Sequence, residues 1–186
     1  MGNLDELQYQ EIETAVEILK KGGVILFPTD TVYGLGCRMD RPTAIQRIKK
    51  IKRTTQYLPI LVDNINQVHK LAFMDNQAIH LANIYWPGGL TIILKSKREN
   101  EKIGIRMPNS NVVRQLIDRL GIPIIGTSAN FHGAKAVYSD KELDPKLVSL
   151  VDYVIKGECD QKIESTVVDA TLIPVKVLRE GAVKIK

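Results

Sequence analysis

Apolar residues recur along the chain in two rhythms, and their alternation predicts helices laid between strands. Ile12, Ala15, Val16 and Leu19 fall at the spacing of one helical face, so residues 5–21 read as a helix, with Gly22 placed as a helix-ending glycine. Val24 to Phe27, a short β-branched and aromatic run after a Gly-Gly break, reads as a buried strand. Beyond Pro42, Ala44, Ile45, Ile48 and Ile51 share one side of a second helix whose last turn is basic. LPILV at 58–62 reads as a strand, and 64–72 and 75–85 as two short helices, the second stopped by Pro87-Gly88-Gly89. Strands follow at 90–94 and 103–108, then a helix through Val113, Leu116, Ile117 and Leu120 closed by Gly121. Residues 122–125 read as a strand whose proline calls for an edge or a strand start. A helix at 143–150 and strands at 153–155, 165–169 and 175–178 complete the pattern, the last two close enough to pair antiparallel. This predicts an α/β fold: a twisted mixed sheet flanked by helices, in one domain spanning 1–186.

At 186 residues and 44% hydrophobic, the chain is large enough for a full core. It has no uninterrupted apolar run of about 18 residues, and its first ten residues are too polar for a signal peptide, which predicts a cytoplasmic protein. Two cysteines, Cys37 and Cys159, exclude a disulfide scaffold or cysteine zinc site; Cys37 reads as a small buried residue. The net charge of +5 suits an anionic ligand such as a nucleotide or RNA and is also common without one. Arg47, Lys49, Lys50, Lys52 and Arg53 cluster in seven residues, either as a solvated helix face or as a phosphate clamp. Lys52 is the clamp candidate, while Lys49 and Lys50 point away.

Similar polar clusters sit at several strand ends: PTDTVYGLG (28–36), GIRMP (104–108), GTSAN (126–130), ESTVVD (164–169) and REG (179–181). Each alone reads as a turn or helix cap; together they describe one crevice carrying hydroxyls, an amide and at least two arginines, suited to phosphate and carboxylate groups. Thr29, Asp30, Thr31 and Tyr33 supply hydroxyls and a carboxylate at the first, and Gly34 and Gly36 permit close backbone approach or positive φ. There is no phosphate-binding GxxxxGK[ST] loop, no complete dinucleotide fingerprint, no HExxH and no GxSxG, so covalent catalysis has no support. The histidines are scattered, and Trp86 reads either as core or as a base-stacking surface.

In order along residues 10–185, PTDTVYGLG, KIKR before LPILV, WPGGLTIIL, IGIRMPN, GTSANFHG, ESTVVDAT and VLREGAV resemble the YrdC-like family of threonylcarbamoyl-AMP synthases, in its single-domain form. The resemblance implies a mixed sheet around a large basic cavity and a reaction of L-threonine, bicarbonate and ATP, with Mg²⁺, to threonylcarbamoyl-AMP and pyrophosphate. A partner transferase then carries the group to adenosine 37 of tRNAs reading ANN codons. It implies threonine contacts at Thr31, Tyr33, Arg106 and Ser165, nucleotide contacts at Lys52, Arg53, Ser128, Asn130 and Arg179, and catalytic roles for Lys52 and Arg106; no protein side chain is assigned to the metal. The chain departs from the family pattern at Thr54, where an arginine is usual, and at Leu58, Asp63 and Ala136. Two other readings follow: a YciO-type paralogue of reduced or different activity, whose lysine segment departs comparably, and a non-enzymatic tRNA- or double-stranded-RNA-binding module. GTSAN counts against the first and the low aromatic content of 5% against the second.

Overall fold

A computed structural model describes residues 6–98 and 101–185. Helix α1 (Glu6–Lys20) buries Ile12, Ala15, Val16 and Leu19. It realises the first predicted helix within a residue, position 5 lying outside the described residues. Gly22 ends it at φ +88°, a left-handed conformation that glycine adopts without strain. Strand β1 (Ile25–Phe27) and strand β2 (Gly34–Arg38) form an antiparallel hairpin, and helix α2 (Pro42–Lys52) packs on β2.

Then come β3 (Ile60–Leu61), α3 (Ile65–Leu71), β4 (Ala72–Phe73), α4 (Asn76–Tyr85), β5 (Leu90–Ser96), β6 (Lys102–Arg106), α5 (Asn111–Leu120) and β7 (Ile124–Ser128). Short α6 (Pro145–Val148) precedes β8 (Tyr153–Val154), β9 (Thr166–Asp169) and β10 (Lys176–Arg179). Asn64, Asp75 and Ser110 each accept a backbone N–H at the start of their helices, and Gly121 closes α5 at φ +68°.

The strands form one open mixed sheet in the order β10-β9-β5-β6-β3-β7-β2-β1-β8, with β4 also pairing β5. Pairs β1–β8, β3–β6 and β5–β9 are parallel and the others antiparallel, including the predicted β9–β10 pair. Helices α1 and α5 pack together, and Trp86 packs on the core with its indole N–H donating to the Leu90 carbonyl at 2.7 Å, so the core reading of Trp86 holds.

The sheet corrects the sequence reading in two places. Gly34 and Gly36 are not loop residues of positive φ: they lie within β2, where a Cβ on Gly36 would stand 2.2 Å from the Ile125 carbonyl oxygen and 2.8 Å from the Phe27 ring. The close approach they permit is that of β7 and Phe27. Of the two placements open for Pro123, the strand start holds, because β7 is central and its ladder begins one residue later at Ile124. The helix expected at 143–150 shrinks to the four residues of α6.

Candidate active site

The strand ends carrying the polar clusters meet in one cleft, lined by Thr29, Gly34, Leu61, Thr91, Ser128 and Ser165 together with Arg106, Arg179 and Glu164. Register explains the meeting. Arg106, the last residue of β6, lies opposite Thr91 of β5 and beside Leu61 of β3, while Gly34 of β2 faces Ser128 of β7.

Arg106 is 6% exposed, and every guanidinium nitrogen has a protein acceptor. Nε donates to the Gly88 carbonyl at 3.0 Å, Nη1 to Thr31 Oγ1 at 2.7 Å, and Nη2 to Asp30 Oδ1 in a buried ion pair. Each terminal nitrogen carries a second N–H, the fork that grips a carboxylate. Burial lowers the Arg106 pKa, and Asp30 opposes that shift. Thr31 is fully buried and is fixed further by Thr29, whose hydroxyl lies 3.1 Å from its own. Tyr33 lines the cleft, but its hydroxyl donates to the Ile155 carbonyl and is fully buried, which drives its pKa up.

On the β7 side, the Lys52 ammonium crosses from the end of α2 to the GTSAN segment. It donates to the carbonyls of Ser128 at 2.9 Å and Asn130 at 2.7 Å and contacts the side chains of both. Burial depresses the Lys52 pKa to about 8 from 10.5, with the Glu164 charge acting in the opposite sense. Arg53 behaves differently. It is the left-handed cap of α2 at φ 48° and is exposed, the helix having ended at Lys52. Elsewhere in the basic run, Arg47 pairs with Asp152 at 2.6 Å, Lys49 lies over the Tyr57 ring and Lys50 is exposed.

Across the cleft, Arg179 donates from Nε and Nη2 to the Ser165 carbonyl at 3.1 and 2.9 Å, from Nη2 to Ser165 Oγ, and from Nη1 to Glu164. Ser165 Oγ also lies 3.0 Å from Thr91 Oγ1. The cleft wall thus carries Arg106, Ser165, Arg179 and Ser128; Thr31 stands behind it as a partner of Arg106, and Lys52 and Asn130 join it through their contacts with Ser128, whereas Arg53 has no such link. Sequence reasoning missed Thr91, a lone polar residue in the apolar run LTIIL, and Glu164, the neighbour of an assigned serine. The sequence marks Asp30 as a carboxylate but does not reveal its partner, Arg106.

Residues 17–181 match the model of a family described as telomere recombination, the Sua5–YciO–YrdC domain. The chain is 32% identical to YciO of Escherichia coli K12, covering 98% of this chain and 94% of that one. It is 31% identical to a putative threonylcarbamoyl-AMP synthase of Methanocaldococcus jannaschii, covering 97% and 92%. The crystal structure of Pyrococcus abyssi Sua5 complexed with L-threonine superposes with a TM-score of 0.88 at 29% identity, covering 97% of this chain and 56% of that one. The chain thus spans about half of that archaeal protein. Among the described residues, no helix is long and apolar enough to cross a membrane.

Proposed function

The chain belongs to the Sua5–YciO–YrdC family, and from that premise we propose that it joins L-threonine, bicarbonate and ATP into threonylcarbamoyl-AMP and pyrophosphate. The product is an activated carbamoyl group for a transferase that modifies tRNA at adenosine 37. The observation that carries the reading is the meeting, in one cleft, of a buried arginine fork and a separate cluster built on a lysine.

The chemistry fits those two halves. The threonine amine and bicarbonate condense to a carbamate with loss of water. A carbamate oxygen then attacks the α-phosphorus, and the bond to the β-phosphate oxygen breaks to release pyrophosphate. No covalent enzyme intermediate is needed, so the protein's task is to align two anions and offset charge on the leaving group. Arg106, with Thr31 and Ser165 nearby, takes the amino-acid carboxylate; Lys52, Ser128, Asn130 and Arg179 take the nucleotide. Mg²⁺, bound with the nucleotide, would supply neutralisation of phosphate charge.

The position of Arg53 favours a second reading, a YciO-type paralogue with reduced or different activity, because the arginine next to Lys52 is an exposed, left-handed helix cap. One assay separates the two. The protein is incubated with threonine, bicarbonate, ATP and Mg²⁺, and pyrophosphate release is followed alongside mass-spectrometric detection of the adenylate. Threonine-dependent release of both products is expected. Their absence at high protein concentration sinks the synthase reading.

A further inference from the structure

Among the described residues, the charged side chains lining the cleft are Arg106, Arg179 and Glu164. The arginines suit carboxylate and phosphate ligands, but a carboxylate beside them repels such ligands. Glu164 accepts from Arg179 Nη1 at 3.1 Å, and its charge also reaches the Lys52 ammonium. It therefore stands within the field of the two cations that the nucleotide phosphates would meet.

A purely structural role does not account for it. Arg179 is already anchored by three hydrogen bonds to Ser165 that do not involve Glu164. The Glu164–Arg179 pair is 40% exposed on the glutamate side and 44% on the arginine side, and pairs so exposed add little stability. The backbone is held independently, since Ala182 N–H donates to the Glu164 carbonyl at 2.8 Å. The residue between them is Gly181, where a Cβ would stand 2.2 Å from that same carbonyl. The side chain, held only by its half-exposed pair with Arg179, can thus turn to a ligand while its Cα is fixed.

A divalent cation reconciles a carboxylate with a polyphosphate. Magnesium keeps several waters and is bound through one or two carboxylates plus substrate phosphates, rather than in a cage made wholly by the protein. The described residues contain no group of three or more His, Cys, Asp or Glu able to form such a cage, and a single cleft carboxylate fits the shared arrangement. Resting on the synthase reading, we propose that Glu164 is the protein's ligand, direct or through water, for the divalent cation that enters with the nucleotide, and so makes nucleotide binding depend on that cation.

The test is calorimetric titration of α,β-methylene ATP, which cannot be cleaved at the reacting bond, into the full chain and its Glu164→Gln variant, each with and without Mg²⁺. The substitution is isosteric and exposed, so the fold is kept. In the unaltered protein Mg²⁺ is expected to tighten binding by about tenfold or more, the equivalent of about 1.4 kcal/mol. In Glu164→Gln that ratio collapses toward one while threonine affinity is unchanged. Mn²⁺ paramagnetic resonance in the presence of the analogue gives a direct reading, with weaker Mn²⁺ retention in the variant. An unchanged Mg²⁺ ratio, or equal tightening of both titrations as expected if Glu164 merely competes for Arg179, overturns the assignment and leaves the synthase reading intact. Failure of the unaltered protein to bind the nucleotide under either condition overturns both.

Discussion

Asp30 and Arg106 form an ion pair in which both residues are all but fully buried, at 3% and 6% exposure, and Asp30 Oδ2 has no hydrogen-bond partner. The pair ties the loop after β1 to the end of β6 across 76 positions of sequence. Removing the aspartate leaves a buried guanidinium uncompensated. Asp30→Asn is expected to lower unfolding free energy by about 3–5 kcal/mol in urea titrations and to weaken threonine binding with it. A loss below about 1 kcal/mol contradicts this account of the pair, since that is the range of exposed pairs.

The two halves of the cleft are expected to separate on mutation. Loss of a charge-assisted contact is worth about 1.5–3 kcal/mol, so Arg106→Ala should weaken threonine binding by about 10- to 100-fold while altering nucleotide affinity far less. Lys52→Ala should do the reverse. Isothermal titration of each substrate into each variant decides the matter, and equal losses for both substrates in both variants contradict the division. Arg106→Lys is not expected to rescue, because an ammonium cannot reproduce the fork held by Gly88, Thr31 and Asp30.

Lys52 sets a pH dependence whose sign follows from its lowered pKa of about 8. Below that pH the ammonium is charged, and nucleotide affinity should fall as pH rises through about 8. Stability moves the other way. Between about 8 and the ordinary value of 10.5 the unfolded chain binds more protons than the folded one, so unfolding free energy rises with pH across that window. Lys52→Met should flatten both profiles, measured by nucleotide titration and by urea unfolding at several pH values.

Burial pushes the thiols of Cys37 and Cys159 up to about 12 and about 11. Neither is available as thiolate near neutral pH. A thiol-disulfide reagent such as Ellman's should react with both only after unfolding. Fast stoichiometric labelling of the native protein is the outcome that excludes this placement.

Two glycines separate steric from conformational effects. A Cβ at Gly36 meets the Ile125 carbonyl of the neighbouring strand, whereas one at Gly121 meets nothing within 4 Å and suffers only the left-handed backbone. Gly121→Ala should destabilise by about 1–2 kcal/mol. Gly36→Ala should reach or exceed about 3 kcal/mol and perturb the β2–β7 ladder, because backbone cannot yield as a side chain can. Equal melting-temperature shifts would falsify this contrast.

The helices were legible because their apolar spacing, caps and glycines are local: Ser110 and Gly121 bracket α5 in sequence as in space. Strand β2 was not, since its two glycines and the polar residues before it read as loop, and only pairing with β1 and β7 makes it strand. Strand β4 depends likewise on two partners in β5, Lys95 and Ser96, far along the chain. Similarly, the cleft residues could be named from their motifs, but who holds whom could not. The grip of Asp30 on Arg106 and of Lys52 on the Ser128 and Asn130 carbonyls joins segments 76 to 78 positions apart, and no local pattern encodes that.

Arg179 stands on β10, a strand exposed at each of its four residues, with β9 as its neighbour in the sheet and an irregular register between Val177 and Arg179. Elements of this kind open at a fraction of the global unfolding free energy. Amide hydrogens of β10 should therefore exchange well before those of β5 and β7. Arg179 can then leave the cleft while Arg106, set deep in the sheet, stays in place. If the nucleotide is held as proposed, the residence time of its phosphates at that wall is expected to follow the fraying of a marginal strand rather than the solidity of the core.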